Sequence, residues 1–118
     1  MERVKKITYK GKEIVYVDYS NISTEAEMLE VLKANRKMVE EDNKKFLIFA
    51  DYTNAQTPLN YINEANNFTR DFKHLVIKGS FLGITGVKSV FFNGIVKLFN
   101  LNFKAFADKD TALNYLVD

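Results

Sequence analysis

Two hydrophobic periods take turns along this chain of 118 residues. Ile7-Thr8-Tyr9 and Ile14 to Tyr19 are short runs rich in β-branched and aromatic residues, with Lys10-Gly11-Lys12 between them. That pattern predicts a β-hairpin. Thr24 and Glu27 then stand at capping-box spacing, and Met28, Leu29, Val31, Leu32, Met38 and Val39 follow at helical intervals. A helix to about Glu41 is expected, broken by Asp42-Asn43-Lys44. Phe46 to Ala50 is continuously apolar, as suits a strand covered on both faces. Thr57 as cap and Pro58 at the first helical position open a second helix, whose stripe is Tyr61, Ala65, Phe68, Phe72, Leu75 and Val76. The stripe carries this helix through Leu75-Val76-Ile77 to a cap at Gly79. Ser80 to Thr85 reads as a strand, Gly86 to about Asn100 as a third helix and Phe103 to Ala107 as the last strand. Asp108 caps a closing helix with Ala112, Leu113, Tyr115, Leu116 and Val117.

The predicted order is β-β-α-β-α-β-α-β-α, an α/β fold with a mostly parallel mixed sheet and right-handed crossovers. No linker or shift in composition divides the chain, so residues 1–118 form a single domain. The strands then share one polarity, and Asp18, Asp51, Thr85 and Asp108 all fall near carboxyl ends, on one edge of the sheet.

Composition narrows the chemistry. With no cysteine, the chain has no disulfides, thiolate ligands or thiol nucleophiles. His74 is the single histidine, so neither a histidine metal cluster nor a serine–histidine–acid set is expected; no metal or cofactor is assigned. The net charge of +2, with basic and acidic residues interspersed, makes no case for nucleic acid. There is no apolar leader at the N-terminus and no run long enough to span a bilayer, so the expectation is a soluble cytoplasmic protein.

Gly83-Ile-Thr-Gly-Val-Lys-Ser89 resembles a phosphate loop only superficially. A Walker loop needs four residues between its glycines and a lysine directly after the second. Here two residues intervene and Val87 separates Gly86 from Lys88. The structural account has Thr85 capping the helix and Gly86 turning the chain. The functional account has an anion held by free amides at Thr85 and Gly86. Val17-Asp-Tyr-Ser-Asn21 and Ala50-Asp-Tyr-Thr-Asn54 nearly match, 33 residues apart, each closing a strand before a capped helix. Asp18 and Asp51 are candidates for an acid–base pair or for turn caps, and Tyr19 and Tyr52 for packing or stacking at the sheet edge.

The third helix is unusually apolar. Ser89, Asn93, Lys97 and Asn100 occupy an arc of about 80° at 100° per residue. Val87, Phe91, Ile95 and Leu98 are expected to face the sheet, with Gly94 allowing close approach. Phe92, Val96 and Phe99 form a second strip, for which three uses compete: packing on a neighbouring helix, a homodimer or partner surface, and the lining of a site for an apolar ligand or lipid.

The stretch from Leu75 to Leu116 resembles the SpoIIAA-like, or STAS-like, family of small bacterial domains. The resemblance rests on a strand ending in Gly83-Ile-Thr-Gly86, an apolar helix, the strand Phe103-Lys-Ala-Phe-Ala107, an acidic cap and an Ala112-Leu113…Leu116 helix. It implies a β-α superhelix of the kind found in anti-sigma-factor antagonists and, more remotely, in CRAL-TRIO lipid-binding domains. It also implies a non-catalytic regulatory or protein-interaction role. The family's phosphorylated Asp-Ser-Ser-Gly turn is replaced by Asp51-Tyr-Thr-Asn-Ala-Gln-Thr57-Pro58, in which Thr53 and Thr57 are the candidates for phosphorylation. The alternative role is a module binding a small apolar or anionic molecule, or a lipid, at the carboxyl edge through Asp18, Asp51, Thr53, Thr85 and Gly86.

Overall fold

A two-residue turn sets the first register. Lys10 and Gly11 both take positive φ, 50° and 81°. That is the handedness a tight hairpin needs to match the twist of its strands. The computed structural model describes residues 2–118, and in it this turn joins β1 (Val4–Tyr9) to β2 (Lys12–Asp18) as an antiparallel pair. The remaining strands, β3 (Phe46–Asp51), β4 (Val76–Leu82) and β5 (Phe103–Phe106), add in parallel, so the five-stranded sheet runs β1-β2-β3-β4-β5. The helices are α1 (Glu25–Asp42), α2 (Leu59–Phe72), α3 (Val87–Phe99) and α4 (Lys109–Val117). The α/β class, the element order and the mostly parallel sheet are those the hydrophobic pattern predicts.

Sequential strand order means that the chain winds one way across the sheet. All three crossover helices therefore share a face. Met28, Val31, Leu32 and Val39 of α1 and Tyr61, Ile62 and Phe68 of α2 pack on Val15, Val17, Ile48, Ala50 and Phe81. The other face is covered by α4 alone, through Ala112, Leu113 and Leu116 on Ile14, Leu47, Phe49 and Leu82. β3 is central and buried from both sides, which is why its sequence is continuously apolar.

The caps agree with the sequence at two helices and differ at two. Thr24 Oγ1 accepts from the Glu27 N–H at 3.3 Å, and Asp108 Oδ1 accepts from the Thr111 N–H at 2.9 Å. At α2, Pro58 occupies the cap position with φ −67° and ψ 159°, and Thr57 makes no capping bond; the helix starts one residue later than predicted. At α3, Gly86 is the cap and Thr85 is not.

One element boundary departs further. α2 ends at Phe72, and Val76 and Ile77 belong to β4 rather than to the helix. A turn closes through the Leu75 N–H to the Phe72 carbonyl at 2.9 Å, after which the Phe46 N–H donates to the Leu75 carbonyl at 2.9 Å. Outside the helix, Leu75 and Val76 still join the apolar cluster that holds the rest of the α2 stripe. Their helical spacing is thus compatible with a strand, and the ladder to β3 decides between the two. Gly79 is accordingly mid-strand, where a Cβ would stand 2.6 Å from the Phe103 ring. β4 also ends at Leu82 rather than at Thr85, three residues short of the expected strand, but its polarity is unchanged, so the edge that carries the loops is the expected one.

Gly83 has a different task. It takes φ 75° just after β4, and a Cβ there would overlap the Thr53 backbone. Gly83→Ala should therefore destabilise by at least about 2 kcal/mol, combining a steric clash with left-handed strain. Gly11→Ala, with φ 81° but open space around it, should cost about 1 kcal/mol. Urea unfolding of the two variants checks the ranking, and equal losses would deny the close approach of the two loops.

Candidate functional site

The near-repeat becomes a physical pair. Parallel register aligns Asp18 with Asp51. Each carboxylate accepts from the N–H two residues on, Ser20 at 2.8 Å and Thr53 at 2.9 Å. The two loops are then bonded rung by rung: the Tyr19 N–H donates to the Asp51 carbonyl, the Asn21 N–H to the Thr53 carbonyl, both at 2.9 Å. Asn21 and Asn54 are both left-handed, and their side chains meet at 3.1 Å. Arg3 adds bonds to the Asp18 and Ser20 carbonyls at 3.1 Å each. Asp18 and Asp51 thus lie side by side on the predicted edge, with their carboxylates engaged in holding turns.

The matched tyrosines stack. Tyr19 and Tyr52 lie 4.7 Å apart at 15°, and Tyr61 of α2 meets Tyr19 edge-on at 5.4 Å. The Tyr52 and Tyr61 hydroxyls share a 2.6 Å hydrogen bond. Packing and stacking, set against each other on the sequence, occur together. Burial pushes the ionisation of Tyr52 up to about 12, and that of Tyr19 and Tyr61 well above the usual tyrosine value. The cluster is therefore polar but uncharged.

This cluster forms one wall of a cavity of about 110 Å³ between α2, α3 and the sheet. Ile48, Ala50, Phe81 and Phe103 form the floor, and Ala65, Ile84, Phe92 and Ile95 are among the side chains that close it. Lys88 also lines it, with its ammonium donating to the Tyr52 carbonyl at 3.1 Å and the Ala55 carbonyl at 3.4 Å. Thr57, half-buried, and Asn35 of α1, 3% exposed, add polar groups to the lining.

The cavity exists because α3 is loosely seated. None of its residues is buried. Its faces are also turned from the expected orientation. Val87 (70%), Val90 (69%) and Leu98 (75%) are exposed, and Phe91 is 39% exposed. The half-buried apolar side is Phe92, Ile95, Val96 and Phe99, with Phe92 edge-on to Phe81 at 5.0 Å. The strip for which helix packing, a partner surface and a ligand lining competed thus points inward, and much of the strip expected on the sheet points out. Gly94 faces open space and serves no close approach.

The other sequence candidates scatter. Thr53 is exposed, in contact range of Gly83; Thr85 and Gly86 are exposed and outside the cavity lining. Among the described residues no group of three acidic or histidine side chains converges as a metal site would require, and no helix is long and apolar enough to cross a membrane. Tyr61, Asn35 and Lys88 were not singled out as site residues by sequence. The signal for Tyr61 was its place on the α2 stripe; for Asn35, a polar residue on the apolar stripe of α1, between Val31 and Val39. No family model matches the chain, and neither a curated protein nor a solved structure matches it.

Tyrosine burial sets a pH limit. The folded cluster holds protons that the unfolded chain releases near pH 10. Stability is fully present below about pH 10 and falls as pH rises from there toward about 12, the value to which Tyr52 is pushed. Alkaline titration should show a delayed tyrosinate absorbance step that coincides with unfolding. Tyr52→Phe should shrink that step.

Proposed function

We propose that the chain is a binding domain that holds a small, mainly apolar molecule in the cavity beneath α3. The single observation behind this reading is the cavity itself, about 110 Å³ of space walled by aromatic and aliphatic side chains with a few convergent polar groups. Binding is favoured over catalysis because the two paired carboxylates are already committed to backbone N–H groups. The ligand site moves from the edge loops to the helical face for a topological reason. A sheet wound in one direction has no point where strand order reverses, and hence no crevice at its carboxyl edge. Entry is eased by α3, which buries no residue and so has little packing to lose on moving aside.

Toluene is a suitable probe of this reading. It should perturb the methyl resonances of Ile48, Ile84 and Ile95 in a saturable manner at millimolar concentration. Ala65→Phe, which places a ring into the cavity, should abolish the effect while keeping or raising the melting temperature. A wild-type protein whose methyl spectrum ignores toluene has no such site.

A second reading, a regulatory protein-interaction domain of the STAS-like kind, draws support from the outward strip of α3. Four exposed apolar residues on one short helix exceed what an isolated surface position explains. From Phe72 to Ala107 the chain carries five lysines and no carboxylate, so the charges are less evenly mixed than the composition suggested. Lys73 and Lys97 lie on or beside this helix and favour an acidic partner. Val87→Glu combined with Leu98→Glu should leave stability within about 0.5 kcal/mol, since neither side chain is buried. The same pair should remove a second chain seen by native mass measurement of the protein from its own cells. A single chain in both proteins counts against this reading.

A further inference from the structure

Three buried polar side-chain atoms lack a hydrogen-bond partner among the described residues: Asn35 Oδ1, Asn66 Oδ1 and Ser80 Oγ. Of their residues, Asn35 alone lines the cavity. It sits on the inward face of α1, one turn from Val31 and Val39, and is 3% exposed. An unpaired buried carbonyl oxygen is costly to leave unmade. Resting on the reading of the cavity as a ligand site, we propose that Asn35 is its anchor. The ligand is a neutral, single-ring-sized apolar molecule carrying one hydroxyl or N–H group, which it donates to Asn35 Oδ1.

Size, charge and polarity all enter. A dry apolar cavity of about 150 Å³ accepts benzene, so about 110 Å³ bounded on one side by an unburied helix suits one ring and little more. The tyrosine hydroxyls are held neutral by burial, so they offer no charge to an ion. The ammonium of Lys88 is drawn to the Tyr52 and Ala55 carbonyls, where it ties the start of α3 to the loop after β3. A ligand carboxylate would have to leave water for walls that are almost wholly apolar. A neutral donor avoids that cost and gives a partner to a buried acceptor that has none.

Phenol and toluene have the same shape and differ in the donor. Wild-type protein should bind phenol about tenfold more tightly than toluene, measured by methyl-shift titration. Asn35→Leu should bind toluene at least as well as wild type and lose the preference for phenol. Its melting temperature should be unchanged or higher, since it replaces an orphaned amide by an apolar side chain. Asn35→Ala, which leaves space rather than filling it, should also show no preference. Equal affinities in the wild type, or a preference that survives both substitutions, overturn the anchor while leaving the cavity site intact. Benzoate binding more tightly than phenol overturns the neutral ligand and shifts the anchor to Lys88. If neither ring binds, the cavity holds only water, and the ligand site and its anchor fall together.

Discussion

The helical face of this domain depends on the parallel register that sets Asp18 against Asp51. Once these two residues are level, identical turns must follow at the same height, because each carboxylate closes the same ring on the second N–H ahead. The next residue in each copy is a tyrosine, so two aromatic rings arrive side by side at 4.7 Å with no choice of partner. Slipping the ladder by one residue would send one tyrosine to the α4 side and break the stack. The turns thus do more than end strands. They fix the polar wall of the cavity and set the place where Gly83 meets the Thr53 backbone.

Beyond β4 the sheet cannot support a helix as firmly. β5 has four residues, none of them buried, and lies at the edge. α1 and α2 lie over strands with buried side chains on either side, and each buries residues of its own. α3 crosses from β4 to that short edge strand and finds less to pack on. Phe81 and Phe103, at 4.9 Å from each other, and Phe92 above Phe81 make up what aromatic contact there is. Gly79 contributes by absence, since a side chain there would displace the Phe103 ring. The cavity is the space that these few rings leave between a well-packed α2 and a poorly packed α3.

Most of the fold is legible from local chemistry. The hairpin turn and the Thr24 and Asp108 caps follow from interactions within a few residues, and the unbroken apolar run of β3 marks a strand covered on both faces. Two features resist that approach for different reasons. Leu75 and Val76 satisfy a helical stripe and a strand equally, and only the ladder to Phe46, distant in sequence, separates them. On α3, apolar residues fill most of the circumference, so spacing alone cannot say which strip faces inward. The site is less legible still. The matched Asp-Tyr segments are visible as sequence, but their convergence with Tyr61 requires the docking of α2. Asn35 reads as a minor blemish on an amphipathic helix until the space in front of it is known.

At that blemish stability and the proposed use diverge. Val31, Leu32 and Val39 show that the inward side of α1 is built for burial, and an apolar residue at position 35 would complete it without an orphaned carbonyl. Ser80, also fully buried and unpaired, packs under α4, where the cost has no cavity beside it to explain it. At Asn35 the cost coincides with open volume, unionised tyrosine hydroxyls and a covering helix without buried contacts. The orphaned amide, the open volume and the unpacked helix each lower the stability of the empty fold. All three would be relieved by one small molecule occupying the same space, because filling the volume, pairing the amide and giving α3 a surface to pack on are the same event.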